Sequence, residues 1–375
     1  MNIILAAGIL LIILSLVFQK NKKFSPYWGF VLIFLIMGFQ EGIEGDFMTY
    51  KAEYQDMAQG IGNSSATAGN DTVWLFLNGL FSKFLPFWMF VILLAAFECI
   101  VLYKLGNKYG SRQYGWLGPV LFYFTFYLML IQMKALRQGF AVEIIVLAYL
   151  MTGHKRGWLW GGLLTFAAVF VHHSTLIVIP FIILHFVVSK IKDIDKVKEY
   201  SLGKPKLVFP IIMVAAFMFV YTLKSTALSG WLDQLALIGN MNDVALSNYL
   251  ETEQEHAFEI SFLIVLYDAI MVFICSWFLQ RTTIRYKILA FASIIGCYGD
   301  MLLFGMGSLP RIMMFYIIFN IITYPLIAEM VHKRFSKTAA LIFIVFLVGY
   351  AMKTSLPMIM SSDKGGFGTY QFVFW

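Results

Sequence analysis

Apolar segments of membrane-spanning length constrain this chain more than any other feature of its sequence. A helix needs roughly 20 mostly apolar residues to cross a bilayer, and runs near that length recur along all 375 residues. We predict twelve spans, at residues 2–19, 25–40, 85–103, 114–133, 138–153, 157–171, 174–189, 207–223, 260–279, 287–304, 311–330 and 338–352. Hydrophobic residues make up 60% of the chain and charged residues 13%. This composition excludes ordinary soluble, disordered and collagen-like proteins and predicts an all-α polytopic membrane protein.

The distribution of Lys and Arg predicts the orientation of the chain. Twenty of the 28 Lys and Arg lie in six loops that alternate with the predicted spans, at residues 20–24, 104–113, 154–156, 190–206, 280–287 and 331–337. Loops rich in Lys and Arg stay in the cytoplasm, so both termini are predicted to be extracytoplasmic. The formal net charge of +7 therefore reflects orientation and is no sign of nucleic-acid binding.

The remaining loops face outward and are too small to hold a separate soluble catalytic domain. We predict a single integral membrane domain over residues 1–375, with outer loops at 41–84 and 224–259. The first loop has a Gly/Ser/Asn-rich middle, typical of a flexible segment, and its end at Asp71–Leu85 is predicted to be an interfacial or re-entrant helix. The first apolar run lacks a basic start and a cleavage site, so it is expected to be a mature helix rather than a signal peptide.

Ionisable residues at membrane depth are costly and mark candidate functional sites. They occur at four outward junctions: Asp46 after the second span, Lys134, Arg137 and Gln138 between the fourth and fifth, His172 and His173 between the sixth and seventh, and Asp300 and Arg311 between the tenth and eleventh. Each has a structural alternative. Asp46 suits a helix cap, the arginines suit contacts with lipid headgroups, Ser174 suits an N-cap, and Asp300 suits a pair with Arg311. Their common placement on one side of the membrane favours a shared site.

These residue types suit chemistry on a phosphate-linked group. Two arginines bind phosphate oxygens through fork-shaped donors, and the start of the seventh span directs N–H groups toward an anion. A histidine accepts a proton near neutral pH, and a carboxylate orients a hydroxyl. The pattern predicts displacement of a phosphate-linked leaving group at the outer membrane–water boundary.

Other polar residues give weaker signals. Glu98, Glu143 and Asp268 lie within spans, where interior hydrogen bonding is favoured over proton relay. Asp193-Ile194-Asp195 resembles a nucleotide-sugar motif but lies in a short Lys-rich loop, and Cys99, Cys275 and Cys297 show neither zinc-binding nor disulfide spacing. Motifs for ATP-driven transport or metalloprotease activity are absent from the sequence, and no metal or cofactor is predicted.

Several of these pieces together resemble the EpsG family, membrane proteins of bacterial exopolysaccharide clusters related to Wzy-type polysaccharide polymerases. The matching pieces are Gly45-Asp46 with Tyr50 and Tyr54, Arg137-Gln138 before an apolar helix, Val171-His172-His173-Ser174 leading to Pro180, and Arg311 with Tyr316. Their order and spacing agree across nearly the whole chain. The His-His-Ser element in its membrane context is the most specific of them.

The resemblance implies a GT-C-like polymerase in the bacterial cytoplasmic (inner) membrane, with its active site facing outward. It implies a metal-independent glycosyltransferase that joins oligosaccharide units carried on undecaprenyl pyrophosphate. Implied partners are membrane lipids and the chain-length regulator and flippase of the same pathway. On this basis Asp46, Arg137, His172, His173 and Arg311 are expected to be catalytic, and Tyr50, Lys134, Gln138, Ser174, Asp300 and Tyr316 to bind substrate.

Three points stay open at the level of sequence. The proton acceptor is His173, His172 or Asp46. A lipid-linked oligosaccharide flippase or other transporter has similar apolar helices and a basic cavity, although its charges are expected along a cavity open to both sides. A membrane O-acyltransferase, which uses a histidine base, is the second alternative.

Overall fold

The computed structural model is almost entirely helical and describes residues 2–19, 25–41, 43, 45–61, 71–125, 128–152, 157–189, 207–222, 262–303, 309–361, 367–368 and 370–373. The first ten helices are α1 (Ile3–Phe18), α2 (Gly29–Gly38), α3 (Asp46–Ala58), α4 (Thr72–Phe81), α5 (Phe87–Tyr109), α6 (Leu117–Phe124), α7 (Met129–Lys134), α8 (Leu136–Thr152), α9 (Gly157–Val171) and α10 (Ile179–Ser189). Further helices span Val208–Thr222, Phe262–Leu279, Ile284–Leu303, Met314–Ile317, Asn320–Arg334 and Lys337–Met360, and His173–Val178 and Leu309–Met313 are 3-10 helices.

A helix or a broken pair of helices lies at each of the twelve predicted spans. Within the described residues, three helices are long and apolar enough to cross a membrane alone: Phe87–Tyr109, Tyr286–Leu303 and Lys337–Met360. Pro310–Ile317 with Asn320–Arg334 makes a fourth if this broken pair is counted as one span, and the other apolar helices have 10–17 residues. The helical composition agrees with an all-α membrane protein. The number twelve, the GT-C-like architecture and the side on which the termini lie stay predictions.

Large apolar side chains on the outside of these helices fit a lipid environment. Phe166, Phe219 and Ile342 are 65%, 62% and 66% exposed. In water, each exposed side chain would forgo the favourable free energy of transfer from water into an apolar environment. A bilayer removes that penalty, so the exposed faces are those expected to meet lipid.

The described chain divides into two compact units, the first comprising Met1–Ile191 and Ile318–Trp375. In this unit α8 packs on α9, α5 packs on both α2 and α8, and Asn320–Arg334 and Lys337–Met360 pack on α6. A short antiparallel pairing joins Gln40–Glu41 (β1) to Gln371–Phe372 (β2), with Gln40 opposite Phe372. The segment after α2 and the C-terminal tail are therefore held together.

Two helices occupy the predicted outer loop 41–84. Gly45 has φ 85°, a left-handed conformation that favours glycine, and α3 begins at the next residue, Asp46. Helix α4 covers most of the segment predicted as an interfacial helix, and that membrane placement stays a prediction. The glycine-rich stretch at 62–70 and the predicted outer loop 224–259 lie outside the described residues, as does Asp193-Ile194-Asp195.

The second unit, Lys192–Ile317, is built around a pair of packed helices, Phe262–Leu279 and Ile284–Leu303. The Tyr298 hydroxyl donates to the Met213 carbonyl at 2.5 Å, and the Tyr298 ring packs edge-on against Phe217. These contacts attach Val208–Thr222 to the pair. The 3-10 helix Leu309–Met313 and the short helix Met314–Ile317 also pack on Ile284–Leu303.

Candidate functional site

A buried carboxylate, Asp71, joins two of the predicted site residues. Its Oδ2 lies 2.9 Å from Nη1 of Arg137, and its Oδ1 lies 2.6 Å from Nδ1 of His173. The Asp71 side chain is 8% exposed and that of Arg137 is 17% exposed. Because opposite charges attract more strongly where water is largely excluded, this arrangement holds both partners in defined positions.

Three different elements bring these side chains together. Asp71 is the N-cap residue of α4, Arg137 is the second residue of α8, and His173 begins the 3-10 helix that follows α9. Helix α4 packs against α9, which carries Asp71 to the turn that holds the histidines. The contact between Asp71 and His173 spans 102 residues of sequence.

The contact with Asp71 determines which nitrogen of the His173 ring carries the proton. A carboxylate accepts hydrogen bonds, so Nδ1 of His173 must carry the proton and donate it to Oδ1. The other ring nitrogen, Nε2, is then free of that proton when the ring is neutral, and the His173 side chain is 47% exposed. An accessible Nε2 on a ring oriented by a carboxylate is the arrangement expected of a general base.

The neighbouring His172 has a different environment. Its Nδ1 accepts from the Ser174 amide at 3.3 Å and lies 3.0 Å from Oγ of Ser174. Burial, with smaller contributions from the positive charges of Arg137 and His173, lowers the pKa of His172 to about 4. His172 is therefore neutral at physiological pH and caps the start of the 3-10 helix. Ser174 contacts His172 rather than His173, the histidine bound to Asp71.

The aromatic ring of Tyr50 lies beside Arg137. The guanidinium carbon lies 5.9 Å from the centre of the Tyr50 ring, within the range of a cation–π contact. Tyr50 in turn packs edge-on against the fully buried Trp74. Nε of Arg137 is buried and has no hydrogen-bond partner among the described residues. Arg137 thus retains a donor beyond the one that it gives to Asp71.

Asp46 lies at the exposed start of α3. An acidic residue in the first turn is stabilised by the helix dipole, which fits its structural alternative. It precedes Tyr50 by four residues, so both lie on the same face of α3.

Lys134 and Gln138 are both buried, at 6% and 5% exposure. Lys134 ends α7 and Gln138 lies in the first turn of α8, on either side of the break at Ala135. Nζ of Lys134 lies 4.9 Å from the centre of the Phe367 ring. Lys134 therefore contacts the C-terminal tail.

The other predicted site residues belong to the second unit. Asp300 lies three residues before the end of Ile284–Leu303, Arg311 lies in the 3-10 helix, and Tyr316 is 5% exposed in Met314–Ile317. Asp268, which is 4% exposed, interacts electrostatically with Asp300. The pairing of Asp300 with Arg311 stays a prediction.

Asp71 is the site residue that sequence reasoning missed. It appears in the sequence only as the polar residue before an apolar helix, a position typical of a cap. Its side chain makes no capping hydrogen bond and turns instead to Arg137 and His173. An N-cap side chain within the predicted outer loop 41–84 was the one local signal.

A comparison with protein families gives a match over most of the chain. A family model described as the EpsG family matches residues 27–371, a range that includes every site residue discussed above. No curated protein and no solved structure matches the chain. Among the described residues, no group of three or more His, Cys, Asp or Glu side chains is arranged to hold a metal ion.

Proposed function

The chain belongs to the EpsG family, and from that premise we propose that it is a membrane glycosyltransferase that polymerises lipid-linked oligosaccharide units. Family membership suggests a polysaccharide polymerase of exopolysaccharide biosynthesis. The finer proposal is that the donor is an oligosaccharide on undecaprenyl pyrophosphate and that transfer takes place on the outer side of the bacterial cytoplasmic membrane.

The proposed reaction is a single displacement at the anomeric carbon of the donor. A hydroxyl oxygen of the acceptor unit bonds to this carbon, and the bond from the carbon to the pyrophosphate oxygen breaks. The bonding electrons leave with undecaprenyl pyrophosphate, and the hydroxyl proton passes to Nε2 of His173. The pyrophosphate is a stable anion, so the leaving group needs no proton.

The contact between Asp71 and His173 is the observation that carries this proposal. Asp71 fixes the ring of His173 with Nδ1 protonated and stabilises the positive charge that the ring gains on accepting a proton. The low pKa of His172 makes it a weak proton acceptor at neutral pH. Among the candidates left open by sequence, His173 is therefore the proposed base, and His172 keeps a structural role.

Arg137 has two proposed tasks. It neutralises Asp71 before reaction, and its remaining N–H groups bind the pyrophosphate and stabilise the negative charge that develops there. Arg311 is also proposed to bind phosphate. This proposal rests on its sequence pattern alone. Asp46, Tyr50, Gln138, Asp300 and Tyr316 are proposed to contact the substrate.

Product analysis with purified protein tests this function. The protein in detergent is incubated with lipid-linked repeat units extracted from cells of a strain that lacks its polymerase, and the glycans are released and sized. A ladder of repeat-unit multiples is expected, with undecaprenyl pyrophosphate released in step. An added acyl mass would instead indicate an acyltransferase, and substrate recovered without covalent change would indicate transport.

A further inference from the structure

The C-terminal tail is tied back onto the first unit by several independent contacts. Its β2 strand pairs with β1, and the Val373 amide donates to the Phe39 carbonyl at 3.0 Å. The Tyr370 hydroxyl donates to the Ile36 carbonyl at 2.8 Å. The Gly368 amide donates to the Ser361 carbonyl at 2.7 Å. These bonds fix the backbone of the tail without using the Phe367 side chain.

Phe367 is a residue of this tail that contacts a predicted site residue, Lys134. Its ring is fully buried and lies under the ammonium of Lys134, 4.9 Å from Nζ to the ring centre. The Phe367 carbonyl also accepts from Nδ2 of Asn2 at 3.3 Å. The same amide group donates to the Ile359 carbonyl at 2.6 Å. Asn2 therefore connects the start of α1 to the backbone of Ile359 and Phe367.

A buried ammonium must be compensated, and an aromatic face supplies part of that compensation. Lys134 is three residues before Arg137, so their Cα atoms are at most about 11 Å apart. Holding Lys134 in one place next to this arginine gives the junction of α7 and α8 a second fixed positive charge. Fixed cations are effective ligands for a pyrophosphate because they need no rearrangement on binding.

We propose that the C-terminal tail is part of the substrate site and that Phe367 is a positioning residue, which holds Lys134 ready to bind the pyrophosphate of the lipid carrier. This inference rests on the proposed function for the nature of its ligand. Phe367 acts through Lys134 and has no contact with substrate.

A double-mutant cycle measures this coupling directly. Undecaprenyl pyrophosphate without sugar is the probe, and its dissociation constant is measured by titration calorimetry in detergent for wild type, F367L, K134M and the double variant. F367L is expected to weaken binding by about three- to tenfold. In the K134M background, F367L should not weaken binding further, because Phe367 acts on the ligand only through Lys134.

Two further variants separate positioning from general tail stability. F372L makes the same substitution in the same tail, at a ring that contacts Tyr370, and is expected to bind like wild type. F367W keeps an aromatic face and is expected to bind within about twofold of wild type. Melting temperatures of all variants identify any loss of fold.

The inference is overturned if F367L weakens binding equally with and without K134M, if F372L matches F367L, or if F367L binds normally. Failure of the wild type to bind the probe also overturns it. None of these measurements depends on polymer formation. If the wild type binds undecaprenyl pyrophosphate but makes no glycan ladder, the proposed function is contradicted. The role of Phe367 is then tested by the double-mutant cycle alone.

Discussion

Nδ1 of His173 lies 2.6 Å from Oδ1 of Asp71, and this contact separates the roles of two adjacent histidines. His173 gains an orienting carboxylate and keeps an exposed ring edge. His172, one residue earlier, is half-buried with Nδ1 beside Ser174, and its pKa is lowered. Two residues that are equivalent by sequence pattern are therefore chemically distinct, and the difference yields separate expectations for each.

Replacing Asp71 by Asn is expected to remove the orientation of His173 while preserving side-chain shape. An amide carries no charge to stabilise the protonated ring, so the rate of polymerisation should fall by about 10²- to 10⁴-fold. Initial rates of ladder formation measure the effect. Asp56→Asn, which changes a carboxylate on α3 in the same predicted outer loop, is the control and should retain the wild-type rate. A D71N protein with an unchanged rate would contradict the role of Asp71.

The rate of polymerisation is expected to depend on the guanidinium group of Arg137 and not on its positive charge alone. Arg137→Lys keeps a positive charge near Asp71 but loses the forked donors, so the rate should fall at least about tenfold while the protein stays folded. Arg137→Gln also leaves a buried carboxylate without its cation, so its melting temperature should drop as well. Arg112→Lys, at an exposed position in the predicted inner loop 104–113, serves as the matched control. Equal activity of R137K and wild type would exclude the proposed contact with pyrophosphate.

His172 is expected to make the fold sensitive to mild acid. Its pKa is about 4 in the folded protein and 6.5 as the ordinary value, so the unfolded chain binds the proton more readily. The stability that neutral His172 contributes is therefore fully present above about pH 6.5. It is lost as pH falls toward 4, and the loss is on the order of 3 kcal/mol. Melting temperature in detergent across this pH range measures the loss. His172→Gln should flatten this part of the profile, and an identical slope in both proteins would refute the assignment.

The predicted orientation is testable by cysteine labelling. All three native cysteines are buried, so background reaction should be low. Gln59→Cys in the predicted outer loop 41–84 should react with a membrane-impermeant maleimide in spheroplasts. Asn107→Cys, near the end of α5 and on the predicted inner side, should react only after permeabilisation. Both positions are exposed. The reverse pattern would invert the orientation.

The sequence was sufficient for the apolar helices but not for the polar helix α3 or for the centre of the site. Apolar runs located a helix at every predicted span because helix formation is the local response of backbone polar groups to an apolar surrounding. The charge pattern also singled out Arg137 and His173. Asp71 lies 66 residues before Arg137 and 102 before His173, and no local periodicity encodes which distant side chain a loop carboxylate will meet.

The tail gives a second example of the same limit. Phe367 is one of 37 Phe residues, and nothing in its sequence neighbourhood distinguishes it from lipid-facing aromatics. Its burial under Lys134 follows from the pairing of β1 with β2 and from the hydrogen bonds of Asn2. These contacts join segments more than 300 residues apart, so only the folded chain reveals them.

The central claim is that His173 accepts the proton of the attacking hydroxyl, and the most direct test is the rate of glycan-ladder formation by purified H173Q beside wild type. His332→Gln, which replaces a histidine bonded to Tyr114, controls for loss of an imidazole elsewhere. We predict wild-type ladders from H332Q, and from H173Q a rate at least about 100-fold lower at an unchanged melting temperature. Ladder formation by H173Q at the wild-type rate would contradict the account.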